Sequence, residues 1–247
     1  MATKTHYDRT ARWLHWSMAA MILAMIFIGV AMVTSLELRP LLIDIHRPLG
    51  LLILLLALLP AATHWLDYRR ELIAGGEVWR LFSGHFTHLN LAHAVMNAAG
   101  LLLVSFLFVR EVSRRQWWAL VLGAPAFISA GLWLRQPDLL GYAGFSGVLH
   151  GLIYLGVVRL FPAAPMLAGI ILLLLAGRQV WEQTAAYNPD YLQHWIEGRV
   201  MPDAHLFGAI AGLLFGALTL WRDQRQGLLG KANPSGYSSK TGPTPDA

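Results

Sequence analysis

Two side chains in apolar stretches of the chain, Ser146 and His205, have types that could together perform nucleophilic chemistry. A serine hydroxyl is a poor nucleophile until a base removes its proton, and histidine is the usual base. Ser146 stands in the sequence Gly-Tyr-Ala-Gly-Phe-Ser-Gly, where Gly144 and Gly147 allow a tight turn and the close approach of a second chain. Serine between glycines is also common where membrane helices touch, so the motif alone is a weak signal.

Two further polar residues, His93 and Asn97, could stabilise the charge that such a reaction develops. Acyl transfer passes through a tetrahedral intermediate, whose oxyanion needs preorganised donors such as an asparagine amide and backbone N–H groups. Polar side chains inside apolar spans are costly, which makes them functional hypotheses by default. No Asp or Glu lies within a predicted span, so the sequence predicts a Ser–His dyad without a third, acidic member.

The elements that must position these residues are long apolar segments. The 247-residue chain is 56% hydrophobic and 13% charged, with a mean hydropathy of +0.49, whereas soluble domains contain about 25% charged residues. Seven charge-free segments approach the roughly 20 residues that a bilayer span needs. They are 14–33, 48–66, 91–109, 116–134, 139–158, 160–177 and 204–221. The sequence therefore predicts an all-α polytopic membrane protein.

Composition excludes several classes of site. The chain has no cysteine, which excludes disulfide frameworks, thiolate catalysis and cysteine-ligated metal centres. Its net charge of +5 comes from basic residues in short loops between apolar runs. Such loops set membrane topology, so the predicted partner is the lipid bilayer and no nucleic acid is expected.

The span assignment brings the polar residues into one leaflet. Segments 91–109, 139–158 and 204–221 all enter the membrane from the same side. Ser146 is expected about 10 Å deep, at 1.5 Å per helical residue. His93 and Asn97 lie in the first two turns of their span, and His205 lies in the first turn of its own.

Charge in the loops predicts the orientation. The side away from the polar cluster carries the compact group Arg110, Arg114 and Arg115, and basic residues in short loops favour the cytoplasm. The cluster is therefore expected on the side of the membrane away from the cytoplasm, which in a bacterial inner membrane would be the periplasmic side. The first span conflicts with this orientation because its basic flank would prefer the cytoplasm. The conflict is either a tolerated violation of the rule or a sign that 1–47 is an addition to a six-helix core in 48–225. A signal peptide is the less favoured alternative, because no convincing small-x-small cleavage site follows the apolar run. Residues 226–247 are predicted to form a disordered tail.

Four ordered motifs resemble those of rhomboid intramembrane serine proteases. They are Glu77-Val78-Trp79-Arg80, His88-x4-His93-x3-Asn97, Gly144-Phe145-Ser146-Gly147 and Ala204-His205-x2-Gly208-x3-Gly212. The resemblance covers about 49–225. It implies a rhomboid-like core with one extra N-terminal transmembrane helix, Ser146 as nucleophile and His205 as general base, with no cofactor. It also implies His93 and Asn97 as oxyanion donors, and Gly208 and Gly212 as contacts with the helix of Ser146.

Finer motifs resemble the rhombosortase subset of that family. They are the run from Gly144 to Leu152, Trp181-Glu182-Gln183, and the run from Val200 to Leu206. This resemblance implies membrane-anchored substrates with a C-terminal or single transmembrane segment. Specifically, it implies trimming of the tails of exported bacterial proteins, which carry a Gly-Gly motif, an apolar span and a basic end.

His150 departs from the general rhomboid pattern, in which tyrosine is common at this position and packs on the catalytic histidine. Residues i and i+4 share one helix face, so His150 can also reach Ser146. Two interpretations stay open: His150 supports His205 by packing, or it serves as a second base or proton relay.

Residues 7–33 and 43–59 resemble the first two helices of bacterial four-helix b-type cytochromes, where His15 and His46 would occupy haem-ligand positions. Haem needs an axial pair held across a bundle, and the other two helices of that fold are absent. The favoured interpretation is that both are interfacial residues of an added anchor. The alternatives to a protease are thus a silent rhomboid-like chaperone or binding protein, and a haem electron-transfer protein.

Overall fold

Helices dominate the structure, a computed structural model that describes residues 20, 23–32, 34–57 and 63–227. The helices are α1 (Leu23–Met32), α2 (Arg39–Ala57), α3 (Thr63–Leu66), α4 (Arg70–Ala74), α5 (Arg80–Ser83), α6 (Leu91–Leu107), α7 (Arg114–Arg135), α8 (Ser146–Leu160), α9 (Pro165–Glu182), α10 (Gln193–Ile196) and α11 (Pro202–Arg225). Two short strands, β1 (Tyr68–Arg69) and β2 (Gly141–Tyr142), form an antiparallel pair. His15 and the predicted tail beyond 227 lie outside the described residues.

Several helices suit a membrane. Within the described residues, α7, α9 and α11 are long and apolar enough to cross a bilayer, and α1, α6 and α8 are shorter apolar helices. The prediction of a mostly helical, multi-pass membrane protein is confirmed at this level.

The charge-free segments locate helices better than they locate helix ends. The predicted span 48–66 corresponds to α2, which begins earlier, at Arg39, and passes through the expected division between 47 and 48. This helix includes Asp44, which pairs with Arg47 at 3.7 Å and lies 4.0 Å from Arg114 of α7. Because these opposite charges offset one another, the helix is not confined to the stretch without charges.

The predicted span 139–158 differs more. Helix α8 begins only at Ser146, because the preceding residues form β2 and a turn at Gly144 with φ +138°. That backbone conformation is incompatible with a helix and favours glycine. Ser146 therefore lies at the beginning of its helix rather than about 10 Å along it.

Glycines let α8 and α11 approach until their backbones touch. A Cβ atom added to Gly208 would lie 1.9 Å from the carbonyl oxygen of Gly147, and one added to Gly212 would lie 2.1 Å from that of Gly151. The expected close contact between these helices is confirmed. It joins the helix that carries Ser146 to the helix that carries His205.

We expect Gly208→Ala to destabilise the protein, although alanine normally favours a helix over glycine by about 1 kcal/mol. The added methyl group would meet a backbone oxygen, and overpacking of this kind costs about 1–3 kcal/mol. Gly169→Ala in α9 is the matched control, because its Cβ would meet nothing within 4 Å. Thermal unfolding in detergent compares the two variants, and equal midpoints would contradict the prediction.

The segment before α6 forms a support beneath the start of α8. Arg80, which is almost fully buried, donates to the carboxylate of Asp67 at 2.9 Å and to that of Glu77 at 2.7 Å. Tyr68 of β1 pairs with Tyr142 of β2, and both side chains are buried. The loop before Ser146 is thus held by elements distant in sequence.

Candidate active site

Two hydrogen bonds hold the turn that precedes Ser146. Tyr142 donates its hydroxyl hydrogen to the carbonyl oxygen of Gly144 at 2.7 Å, and Gly144 N–H donates to the carbonyl oxygen of Gly84 at 3.1 Å. Burial raises the pKa of Tyr142, which keeps the phenol protonated as a donor. A Cβ on Gly144 would lie 2.9 Å from Nε2 of His93 and would displace that ring, and the positive φ also favours glycine here.

Ser146 and His205 are brought together by the contact between α8 and α11. The distance from Ser146 Oγ to His205 Nε2 is 3.1 Å, within hydrogen-bonding range, and His205 is buried. A serine hydroxyl that donates to an imidazole nitrogen is the arrangement from which a base can take the serine proton.

A carboxylate completes this contact, and it is absent from the site residues predicted above. Glu182 Oε2 lies 3.0 Å from Nδ1 of His205, on the side of the ring opposite to Ser146. The expectation that no acidic group is available to His205 is therefore wrong. The predicted span ended at 177, whereas α9 continues to Glu182. The helix continues because Arg178 neutralises Glu182 one turn later, with 2.8 Å between Nη2 and Oε1.

Asp203, the acidic residue nearest to His205 in sequence, has other partners. Its carboxylate forms an ion pair with Arg135, with 3.0 Å between Nε and Oδ1, and accepts a hydrogen bond from the side-chain amide of Gln136. These contacts join the start of α11 to the end of α7.

His150 covers one face of the His205 ring. The two ring centroids are 4.0 Å apart with an angle of 14° between the planes, which is a stacked pair. His150 Nδ1 lies 2.8 Å from the carbonyl oxygen of Ser146, to which it donates, while the Ser146 hydroxyl contacts His205. This geometry favours the packing interpretation over a second base.

His93 and Asn97 line the same cavity as the Ser–His contact. The cavity has a volume of about 170 Å³ and is also lined by the segment between α9 and α11. That segment contributes Tyr191, Leu192, Ile196, Arg199 and Val200. Asn97 Nδ2 donates to the carbonyl oxygen of His93 at 3.1 Å, and an amide group has a second hydrogen to offer.

Comparison with known families agrees with the ordered motifs. The chain matches the Rhomboid domain over residues 75–222, more than half of its length. The chain belongs to the rhomboid family. No individual curated protein matches it. The matched part contains all the site residues described above, from His93 to His205 along the chain, and Glu182 is among them.

The site of this rhomboid contains three side chains of types that can bind a metal ion. They are His150, Glu182 and His205, and their ligand atoms lie within 4.8 Å of one another. A metal ion lies in the plane of each imidazole that binds it. Because the two rings here are stacked nearly parallel, their lone pairs do not converge on one point. The three residues therefore form a hydrogen-bonded and stacked network rather than a preformed metal site.

A second Ser–His contact in this rhomboid is structural. His85 Nε2 lies 2.9 Å from Ser129 Oγ, and that hydroxyl donates to the carbonyl oxygen of Leu81 at 2.6 Å. Burial lowers the pKa of His85 to about 3, so the ring is neutral. Ser129 is almost fully buried, so a substrate cannot reach its hydroxyl.

Of the two histidines considered for haem, His46 lies on α2, and His15 is outside the described residues.

The stacking predicts how substitutions at His150 should rank. We expect His150→Tyr to keep most activity, because another aromatic ring can cover His205. His150→Ala should lower activity roughly tenfold to a hundredfold, because a misplacement of about 1 Å costs this much. Turnover of a membrane-anchored reporter by purified variants measures the order. A folded but inactive His150→Tyr protein would favour His150 as the base.

Proposed function

We propose that the protein is an intramembrane serine endopeptidase in which Ser146 is the nucleophile and His205 the general base. The observation that carries this proposal is the 3.1 Å contact between Ser146 Oγ and His205 Nε2 at the wall of a cavity. A catalytically silent chaperone or binding protein is the alternative for this family. Retention of both reactive groups in hydrogen-bonding geometry favours the protease.

The reaction would proceed by acyl transfer. Ser146 Oγ attacks the carbonyl carbon of the scissile peptide while His205 Nε2 accepts the hydroxyl proton. The negative oxygen of the tetrahedral intermediate is stabilised by Asn97, His93 and the N–H groups in the first turn of α8. His205 then gives its proton to the leaving amine. Water, deprotonated by His205, hydrolyses the ester on Ser146 and restores the hydroxyl.

The core in this proposal has six membrane helices, α2, α6, α7, α8, α9 and α11. Helix α1 belongs to the additional N-terminal helix. The proteolytic unit comprises residues 48–225 and also 39–47, which form the start of α2. The rest of 1–47 forms the addition. Helices α8 and α11 place Arg159 and Asp223 at the end opposite to Ser146, paired at 2.7 Å. Basic residues at that end support a cytoplasmic location for it and a periplasmic opening for the site.

The proposed substrates are exported bacterial proteins with a C-terminal sorting tail, as in the rhombosortase subset. A tail with an apolar span would enter the bilayer beside the enzyme. A Gly-Gly motif would supply an extended, unhindered backbone to the small cavity beside Ser146. The motifs at Trp181-Glu182-Gln183 and around His205 support this subset.

A fluorophosphonate probe, which labels activated serines, tests the proposal. The protein in detergent micelles should be labelled at Ser146, as mapped by mass spectrometry. It should also cleave a reporter with a Gly-Gly tail in preference to one with the two glycines changed to valine. Absence of both labelling and cleavage in folded protein would support the silent alternative. Labelling with equal cleavage of the two reporters would remove the sorting role.

A further inference from the structure

Both carboxylate oxygens of Glu182 accept hydrogen bonds, and the side chain is almost wholly buried. Its Oε2 atom accepts from His205 Nδ1 at 3.0 Å and from Gln179 Nε2 at 3.3 Å. Its Oε1 atom accepts from Arg178, at 2.9 Å from Nε and 2.8 Å from Nη2. The two carboxylate oxygens therefore have different partners, since one faces the imidazole and the other faces the guanidinium.

Arg178 is itself held in place. Its guanidinium carbon lies 4.9 Å from the ring centroid of Trp181 and 5.5 Å from that of Tyr187. Burial of a carboxylate is unfavourable unless a partner of opposite charge and hydrogen bonds compensate. The stacked guanidinium supplies both, so Glu182 can stay ionised at the end of α9.

The carboxylate decides which nitrogen of His205 carries the proton. A hydrogen on Nδ1 is required for donation to Glu182, and the neutral ring then presents the lone pair of Nε2 to Ser146 Oγ. His150 restrains the same ring from one face. The imidazole is thus fixed in tautomer and in direction before a substrate arrives.

We propose that Glu182, clamped by Arg178, is a positioning residue that orients His205 and stabilises the imidazolium formed when Ser146 is deprotonated. The inference rests on the proposed function and extends the reactive pair to a Ser146–His205–Glu182 triad. Glu182 itself exchanges no proton with the substrate. It acts through His205, whose positive charge develops 3.0 Å from the carboxylate.

A purely structural ion pair between Arg178 and Glu182 would behave differently. Removal of such a pair would lower thermal stability and leave the turnover of folded protein unchanged. A positioning residue affects kcat far more than KM, because its contribution grows as the imidazolium forms in the transition state. The two roles therefore separate in the kinetics of purified, folded variants.

The main test is Glu182→Gln, in which the amide keeps the shape and can accept from Arg178 but loses the charge. We expect kcat for a membrane-anchored reporter to fall about 10²–10⁴-fold with KM within about threefold, since an amide in place of the triad carboxylate costs about 10⁴ in a soluble protease. Glu182→Asp should recover part of the loss. Glu71→Gln, an exposed glutamate on α4, is the matched control and should retain wild-type kcat.

A double variant adds a readout that a structural role would not produce. In the His205→Ala background, Glu182→Gln should cause no further loss in the rate of Ser146 labelling by a fluorophosphonate, because residues that act as one unit are non-additive. An additive loss there would overturn the proposal. So would a folded Glu182→Gln enzyme with wild-type kcat.

Arg178→Gln keeps the proposal testable if Glu182→Gln does not fold. It should lower kcat about tenfold by loosening the clamp, and unchanged kcat in this folded variant would then overturn the proposal. Failure of the proposed function has a different signature: wild-type protein would show neither cleavage nor labelling. If the wild type is active, Ser146→Ala is inactive and Glu182→Gln is fully active, only the triad is wrong.

Discussion

Replacement of either Ser146 or His205 by alanine is expected to abolish cleavage of a membrane-anchored reporter. Without the hydroxyl no acyl intermediate forms, and without the imidazole the hydroxyl loses the base that lies 3.1 Å from it. In a soluble serine protease, loss of one such member costs about 10⁶-fold in kcat. The double variant should be no worse than either single variant, because the two residues act as one unit.

The measurement is reporter cleavage per amount of folded protein in detergent or liposomes. Ser105→Ala on α6 is a suitable control, because the buried hydroxyl of Ser105 has no hydrogen-bond partner among the described residues. Removal of such a group is neutral or favourable for stability, so the control should retain full activity. Full activity in Ser146→Ala or His205→Ala would overturn the assignment of the reactive pair.

The contact between Ser146 and His205 could be predicted because its sequence signals are local and ordered. Ser146 lies between glycines, and His205 precedes Gly208 and Gly212 at helical spacing. These glycines bring the two helices into backbone contact, so they also determine that the side chains meet. Motif and packing therefore carry the same information, and the family match agrees with both.

Glu182 could not be predicted by counting charge-free segments. That criterion ends a span at the first charged residue, but a charge pair one turn apart can continue the helix. Arg178 and Glu182 form such a pair. The motif Trp181-Glu182-Gln183 pointed to this segment, but nothing in it indicates which distant side chain the carboxylate will meet. That contact depends on how α9 and α11 pack.

The position of Ser146 at the beginning of α8 has a similar explanation. The strands β1 and β2 have two residues each, too few for an alternating pattern to appear in the sequence. Their pairing of Tyr68 with Tyr142 is a tertiary contact between distant segments. It keeps the residues before Ser146 out of the helix, so an apolar run that resembles one span contains a turn and a shorter helix.

Asn97→Ala is expected to lower kcat about 10²–10³-fold if its amide is a main oxyanion donor. Asn97 is buried on α6 at the cavity that contains Ser146 and His205. One amide hydrogen is used by the carbonyl oxygen of His93, which fixes the plane of the amide and leaves the other hydrogen for the intermediate. A group fixed in advance stabilises developing charge without reorganisation. KM should change little, because this bond strengthens only in the transition state.

Asn90→Ala, at the residue just before α6, separates the loss of an oxyanion donor from destabilisation of the helix. Asn90 caps α6 by accepting from the backbone N–H of His93 at 2.9 Å, and loss of a cap costs about 1 kcal/mol. This variant should therefore unfold at a lower temperature with kcat within about threefold of wild type. Asn97→Ala should instead lower kcat and leave the unfolding temperature nearly unchanged. His93→Ala should lower both quantities, because its ring also packs against Gly144. An unchanged kcat in the Asn97→Ala, His93→Ala double variant would mean that backbone N–H groups at the start of α8 stabilise the oxyanion without side chains.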